Sequence, residues 1–176
     1  MKYVSPDQSL GVTAAYFDIK EENRVENTAN PIPGGVEQTG AVINGWELQV
    51  NKRWQRFETQ VSYTDLNADN DATGNRLPYV AERQASWWNQ LYVGSNWRFG
   101  AGVRYVGDNV GRNGSPVVPS VTLYDAMIGY TWHNWDFSVD AKNLADEEYV
   151  SWCRSEGRDC GYGERRTVNA NAKYRF

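Results

Sequence analysis

Hydrophobic and polar residues alternate with a period of two along most of the chain, and helical periodicity is absent. The last segment shows the alternation most clearly. One face of this segment is apolar or aromatic and contains Val168, Ala170, Ala172, Tyr174 and Phe176. The opposite face is polar and contains Thr167, Asn169, Asn171, Lys173 and Arg175. The pattern predicts β-strands with one apolar and one polar face.

Extending this pattern along the chain predicts an all-β, antiparallel architecture of eight strands. The predicted strands span residues 8–19, 40–52, 56–66, 83–94, 97–107, 120–132, 135–144 and 165–176. Alternation alone does not decide whether the apolar faces point into a soluble core or outward into lipid.

The connections between the predicted strands alternate strictly in length. Three are tight turns, at Lys52–Gln55, Gly94–Asn96 and His133–Asn134. Four are long and polar, at 20–39, 67–82, 108–119 and 145–164. Outer-membrane barrels have this asymmetry, with short periplasmic turns and long extracellular loops. The pattern therefore favours an up-and-down transmembrane β-barrel, with both termini on the side of the tight turns.

The composition agrees with an apolar outer surface and a polar interior. Aromatic residues make up 14% of the 176 residues, with eight Trp and eleven Tyr, although the mean hydropathy is −0.69. Trp54, Trp97, Trp132 and Trp135 lie beside the tight turns, where a membrane-interface belt is expected. Core tryptophans of a soluble sandwich are the alternative. A net charge of −4 argues against a nucleic-acid partner.

Cys153 and Cys160 lie in the last long loop, and no His flanks them as in a zinc site. Paired cysteines in an exposed loop indicate a disulfide and an extracytoplasmic compartment. Two free thiols in a cytosolic protein are the alternative.

No segment approaches the ~18–20 apolar residues of a transmembrane helix. The N-terminal residues also lack the apolar stretch of a signal peptide, so we expect an exported chain to be a mature form or a fragment.

Motifs for enzyme chemistry or metal binding are weak. A calcium loop starting at Asp65 would need Gly and Glu where Asn70 and Arg76 stand, and His133 is the single His. We therefore expect no catalytic residues, no metal site and no cofactor, and we do not expect an enzyme.

Charged residues are predicted on the polar face, away from lipid, where their cost is low. They are Glu47, Arg104, Asp140, Lys142, Lys173 and Arg175. A cross-strand salt-bridge lattice is favoured over a ligand-contacting lumen for most of them.

Several segments resemble TonB-dependent siderophore receptors. They are SLGVTAAYFDIK (9–20), QTGAVINGWEL (38–48), VAERQAS (80–86), GAGVRYVG (100–107), YDA (124–126), NLADEEYV (143–150) and GYGERRTV (161–168), followed by the closing YRF (174–176). The resemblance covers nearly the whole chain in order and is nearest the ferrichrome/hydroxamate-type branch.

The resemblance implies a ferric-siderophore uptake receptor of the bacterial outer membrane, with a plugged barrel of about 22 strands driven through TonB. Residues 1–176 would be the C-terminal part of that barrel, without the plug domain and without the TonB contact, which lie in the missing N-terminal region. The terminal Phe176 would be the insertion signal for the barrel-assembly machinery. Ligand contacts would come from aromatic and polar lumen residues, with Trp88, Tyr92, Arg104 and Tyr149 as candidates.

Two other interpretations stay open at this point. One is a free-standing eight-stranded barrel with a structural or adhesive role, in which segment 8–19 pairs with segment 165–176. The other is a soluble lipocalin-like binder. The sequence does not identify the siderophore.

Overall fold

The computed structural model describes residues 1–28, 35–155 and 158–176, and these residues are almost entirely extended. The strands, in chain order, are β1 (Lys2–Val4), β2 (Leu10–Thr28), β3 (Gly35–Arg53), β4 (Phe57–Asn70), β5 (Arg83–Val93), β6 (Trp97–Val106), β7 (Asn109–Val110), β8 (Val117–Val118), β9 (Val121–Trp132), β10 (Trp135–Lys142), β11 (Val150–Ser155), β12 (Arg158–Tyr162) and β13 (Thr167–Tyr174). A single 3-10 turn, Arg112–Gly114, lies between β7 and β8.

Nine strands form one antiparallel sheet in the order β1-β2-β3-β4-β5-β6-β9-β10-β13. Two small hairpins, β7-β8 and β11-β12, lie outside it in the connections. The all-β, antiparallel prediction is confirmed, and each of the eight predicted strands corresponds to a strand of the large sheet.

The predicted long loops were wrong in extent. In the connection 20–39, β2 and β3 continue their pairing as far as Thr28 and Gly35, and the interval 29–34 lies outside the described residues. In the other three connections, β4 continues to Asn70, and β7-β8 and β11-β12 form hairpins. Polar segments extend the ladder because backbone pairing does not need an apolar face where both faces are in water.

The N-terminal residues also differ from the prediction. β1 pairs with β2 through Lys2↔Thr13 and Val4↔Gly11, so the chain begins with a short strand that was not predicted. The connection between β1 and β2 is a fourth tight turn, closed by Asp7, whose carboxylate accepts hydrogen bonds from the Ser5 hydroxyl at 2.5 Å and the Ser9 amide at 3.2 Å.

The register places most apolar residues of the strands on one side of the sheet, called here the apolar face. Across β6, β9, β10 and β13, for example, Phe99 pairs with Ile128, Ile128 with Val139, and Val139 with Ala170. The opposite side, called the polar face, contains the residues that alternate with these. The predicted faces of the last strands are confirmed.

The apolar face is not covered by any other described layer of the structure. Trp46, Trp87, Tyr124 and Trp132 each keep more than half of their surface exposed. The buried hydrophobic cluster is small, consists of Ala41, Ala68 and Leu77, and lies toward the loop end of the sheet. An uncovered apolar face of this size needs an apolar environment outside the chain.

Aromatic residues form two rows on the apolar face. The predicted belt beside the tight turns is present, because Trp54, Trp97 and Trp132 lie there with exposed rings. A second row lies eight residues higher on the same strands, and it contains Trp46, Tyr105 and Tyr124. Eight residues span about 26 Å along a strand, or about 20 Å across a membrane when the strand is tilted by ~40°. This spacing is slightly below the height of the apolar band of an outer-membrane barrel, which is about 25 Å.

Candidate functional site

The polar face is crossed by two arginine–aspartate pairs. Arg104 donates from Nε and Nη2 to Asp125 at 2.5 and 3.0 Å. Arg98 donates to both carboxylate oxygens of Asp136 at 3.0 and 2.6 Å and passes over Gly129 on the intervening strand. A Cβ at position 129 would approach the guanidinium to 2.9 Å, so any other residue would make the Arg98 side chain shift.

Three residues of the predicted charged set, Arg104, Asp140 and Arg175, take part in contacts between strands, and for Glu47, Lys142 and Lys173 the lattice stays a prediction. Besides Arg104, Arg175 lies 3.9 Å from Asp136, and Asp140 accepts a hydrogen bond from Asn171 at 3.2 Å. Such pairs fix neighbouring strands relative to one another.

The four predicted ligand residues do not form one pocket. Trp88 and Arg104 lie on adjacent strands of the polar face, close in register because Trp88 pairs with Gly102. Tyr92 lies four residues nearer the tight turn and accepts a hydrogen bond from Gln90 at 2.9 Å. Tyr149 lies beyond the strand ends, against Gly163. Their ligand role stays a prediction.

Glycines explain how Trp88 lies on the sheet. A Cβ at Gly100 or Gly102 would come within 2.5 Å of the Trp88 ring, so the indole lies flat over both glycines of β6. The GAG sequence is therefore a platform for one aromatic side chain on the polar face.

Asn143 anchors the last long connection. It is 2% exposed, has a φ of +51°, and donates from Nδ2 to the carbonyls of Glu147 at 2.9 Å and Glu164 at 3.0 Å. Its Oδ1 accepts a hydrogen bond from the backbone N–H of Glu147 at 2.8 Å, and its own backbone N–H donates to the Asp125 carboxylate at 3.0 Å. The NLADEEYV segment thus begins with a clamp that joins the Arg104–Asp125 pair to the base of the loop.

A second anchor lies beside it. Arg165 donates to both carboxylate oxygens of Asp146 at 3.1 and 2.9 Å and to Glu148 at 2.6 Å. The Arg165 guanidinium, together with the Arg166 amide, holds the pKa of the Asp146 carboxyl well below its usual range. The two ends of the loop are therefore joined by an ion pair at neutral pH.

This shifted pKa predicts how the loop responds to acid. A lowered carboxyl pKa in the folded state contributes stability above the unfolded value, about 3.9, which is lost as the pH falls below that value. We expect protease cleavage of segment 145–163 to be constant from pH 8 to pH 5 and to increase below about pH 4. An Asp146→Asn variant should lose this acid step, and a step of equal size in that variant would contradict the assignment. The cleavage should be measured with an acid-active protease. At each pH the rate is divided by the rate on an unfolded substrate, which corrects for the pH dependence of the protease itself.

The remaining connections pack against the disulfide hairpin. Cys153 pairs with Cys160 across β11 and β12, and the predicted disulfide between them is present. Asn109 of β7 donates to the Ser151 carbonyl at 3.1 Å. The Tyr79 ring meets the Trp152 ring edge to face, with centroids 5.9 Å apart. Three loops therefore form one cluster at the end of the sheet opposite the tight turns.

Breaking the disulfide should have a local effect. For a loop this short the chain-entropy model gives about 2–3 kcal/mol, which is small beside the strand pairing of the sheet. We expect Cys153→Ser to leave heat-resistant barrel migration in gel electrophoresis unchanged and to increase proteolysis of the hairpin. Quantitative alkylation of Cys153 and Cys160 in the native, unreduced protein would contradict the bond.

Arg76 joins two of these loops. It donates from Nη1 to Asp108 at 2.8 Å, and its Nε lies 3.0 Å from Glu82. The hydrogen bond with Arg76 lowers the pKa of Asp108 and raises the pKa of Arg76.

Exposed aromatic rings on the loop cluster were missed at the sequence level. Tyr79, with a φ of +67°, Trp152 and Tyr162 lie on this cluster, and Tyr162 is 70% exposed. For Trp152 and Tyr162 the position beside the cysteines was the available signal, and for Tyr79 the sequence offers none. A nearby cavity of about 380 Å³ is lined by Pro119, Ser120, Val121, Thr122, Glu147, Glu148, Tyr149 and Val150.

Phe176, the predicted insertion signal, follows β13 and packs its ring against Tyr174 with centroids 5.2 Å apart. The insertion role stays a prediction. Within the described ranges, no group of three or more His, Cys, Asp or Glu side chains is arranged to hold a metal ion. None of the described helices is long and apolar enough to cross a membrane.

The sheet has an exposed apolar face between two aromatic rows and an ion-paired polar face. Its tight turns lie at one end and its packed loops at the other. These features define the wall of an outer-membrane β-barrel. Comparison with known proteins agrees with this class. The sequence model described as TonB dependent receptor-like, beta-barrel matches residues 2–144. The chain belongs to this family of bacterial outer-membrane β-barrels.

Relatives of known function are siderophore receptors. The chain is 31% identical over 185 residues to the catecholate siderophore receptor Fiu of Escherichia coli, covering 97% of this chain and 24% of the receptor. It is 28% identical over 192 residues to the ferrioxamine receptor of Yersinia enterocolitica, covering 99% and 26%. The crystal structure of the ferric-catecholate import receptor Fiu from E. coli K12 in its closed form superimposes with a TM-score of 0.79 at 28% identity, over 99% of this chain and 26% of that chain.

The chain thus spans about a quarter of the length of the curated relatives it matches. Because one relative is a catecholate receptor and another a ferrioxamine receptor, the comparisons support the family and leave the ferrichrome/hydroxamate-type branch a prediction.

Proposed function

We propose that residues 1–176 form the C-terminal part of the barrel of an outer-membrane receptor that takes up a ferric siderophore with energy from the TonB complex. The observation that carries this proposal is the open sheet. In the described structure β13 pairs with β10 alone, and β2 pairs with β1 and β3. A membrane wall cannot leave such edges in lipid, so further strands must complete the barrel.

The strand order of the open sheet also argues against a free-standing barrel. That interpretation requires segment 8–19 to pair with segment 165–176. The strands that contain these segments, β2 and β13, lie near opposite ends of the order and are not paired with each other. A soluble lipocalin-like binder is disfavoured by the outward apolar face and by the family assignment.

The ligand would meet the polar face and the loop cluster from outside. Trp88 and Arg104 line the upper polar face, and Tyr149, Tyr79 and Trp152 lie at the loop end. Aromatic rings and fixed polar groups in this arrangement suit a rigid, partly aromatic iron chelate. The family resemblance assigns the plug and the TonB contact to a region N-terminal to the barrel, and Phe176 to the barrel-assembly machinery.

Uptake of radiolabelled iron tests the proposal. Iron-starved cells with the receptor gene deleted should lose uptake of iron presented as a ferric catecholate or as a ferric hydroxamate, down to the level of a TonB-deficient strain. The class that is lost identifies the branch. Unchanged uptake of both classes would contradict the proposal.

A further inference from the structure

The apolar face contains one polar row near the tight turns. Lys52, Thr59 and Asn89 lie side by side on β3, β4 and β5, because Lys52 pairs with Thr59 and Thr59 with Asn89. Among the outward-facing residues between the two aromatic rows of the described strands, Lys52 is the one that carries a charge. A charged residue on the lipid-facing side is rare, and at the depth of the membrane interface it can meet a lipid headgroup.

The side chains of this row are held in place. Lys52 donates from Nζ to the Ser9 hydroxyl at 2.7 Å and lies 5.7 Å from the centre of the Trp54 ring. An ammonium has three donors, so two stay available to an acceptor from the membrane. Ser9 and Trp54 belong to two neighbouring tight turns, which places the ammonium at the membrane interface.

The amide of Asn89 is oriented by a short hydrogen-bond chain. The Trp87 indole N–H donates to Thr59 Oγ1 at 2.8 Å, and the Thr59 hydroxyl donates to Asn89 Oδ1 at 2.8 Å. The oxygen of the amide is therefore occupied, and within the described part of the chain its Nδ2 has no protein partner. Two N–H donors are presented on a surface that meets lipid.

The two donor groups lie at different depths. Trp54, at the turn, is two residues from Lys52, whereas β5 continues four residues from Asn89 to Val93. Lys52 and Asn89 are two strands apart. With strands ~4.8 Å apart and tilted by ~40°, Asn89 lies about 6 Å deeper in the membrane than Lys52. A phospholipid has the same order, with its phosphate at the surface and its ester carbonyls deeper.

We propose that Lys52 and Asn89 form a binding site for an anionic phospholipid of the periplasmic leaflet, with the phosphate on Lys52 and a glycerol ester carbonyl on Asn89. Thr59 and Trp87 act as positioning residues. Charge complementarity favours an anionic headgroup, because a zwitterionic headgroup carries its own amine next to the phosphate. The site depends on the orientation of the barrel and not on the transported ligand, so it is tested separately from uptake.

Native mass spectrometry of the full-length receptor in detergent, titrated with phosphatidylglycerol or phosphatidylethanolamine, tests the site. The wild type should retain one phosphatidylglycerol in clear excess over phosphatidylethanolamine. Lys52→Gln should lower phosphatidylglycerol retention about fivefold, the equivalent of ~1 kcal/mol per surface Lys. Asn89→Leu should lower retention of both lipids, because both contain ester carbonyls.

Matched controls come from the polar face. Lys173→Gln removes the same charge near the same end of the sheet, and Gln90→Leu changes the neighbour of Asn89, so neither should alter lipid retention. Heat-resistant migration verifies that each variant is folded. If Asn89→Leu does not fold, Thr59→Val gives a second test, because it removes the hydroxyl that orients the Asn89 amide. Equal retention of both lipids by the wild type, or equal losses in Lys52→Gln and Lys173→Gln, would overturn the proposal.

Discussion

Replacing Ala170 with Arg should prevent stable insertion of the barrel, whereas Asn171→Arg, one residue away, should be tolerated. Ala170 lies on the apolar face opposite Val139, in the middle of the band between the aromatic rows. An Arg at mid-bilayer on the lipid face costs about 2–4 kcal/mol. Asn171 lies on the polar face beside Asp140, where a cation finds water and a carboxylate.

Heat-modifiable migration of the full-length receptor in outer-membrane fractions measures this difference. The two variants add the same side chain to the same strand, so a difference between them reports only the face. Equal loss in both variants would mean that the register of β13 is displaced by one residue, because such a shift exchanges the faces.

Asn143→Ala should release the loop that carries the disulfide. The side-chain amide of Asn143 makes three hydrogen bonds to the backbone of Glu147 and Glu164. The residue is also buried and has a positive φ, which Asn tolerates better than Ala. Losing three hydrogen bonds, at about 0.5–1.5 kcal/mol each, costs about 2–4 kcal/mol. We expect protease cleavage in segment 145–163 to rise at least about tenfold, since each 1.4 kcal/mol is a factor of ten.

Two related variants separate the clamp from a general loss of stability. Asn143→Asp keeps the acceptor for the Glu147 amide and loses both donors, so it should fall between the wild type and Asn143→Ala. Asn171→Ala removes an exposed amide from the polar face and should leave the loop protected. Cleavage of the loop at the wild-type rate in Asn143→Ala would contradict the clamp.

The parts of the fold that follow from local periodicity were predictable from the sequence. Each strand of the large sheet with a clean alternation, such as β6 with Trp97 to Tyr105, was placed within a few residues, and the tight turns beside Trp54 and Trp132 followed from strand spacing. Alternation identifies the faces because side chains of a strand point to opposite sides in turn.

The parts that depend on pairing rather than pattern were not predictable. β2 continues through Glu21 and Arg24 over a bulge, with polar side chains on both faces, and only its partner β3 keeps it extended. β1 is three residues long and has no periodicity to detect. The Tyr79–Trp152 contact joins residues 73 positions apart, which no local signal reports.

The candidate site was predictable only in outline. Trp88 and Arg104 were recognised as residues of the polar face, but the commitment of Arg104 to Asp125 depends on the register between β6 and β9. The NLADEEYV segment was recognised by resemblance, and its physical role, the Asn143 clamp, required the positions of Glu147 and Glu164.

Thiol labelling of intact cells tests the central claim that this chain is a barrel wall with its tight turns in the periplasm. In a full-length receptor whose Cys153 and Cys160 are changed to Ser, a membrane-impermeant maleimide should label Thr73→Cys in the loop at the far end of β4. It should not label Ser95→Cys in the turn between β5 and β6 until the outer membrane is opened. Labelling of Ser95→Cys in intact cells, with Thr73→Cys protected, would contradict the orientation and the account built on it.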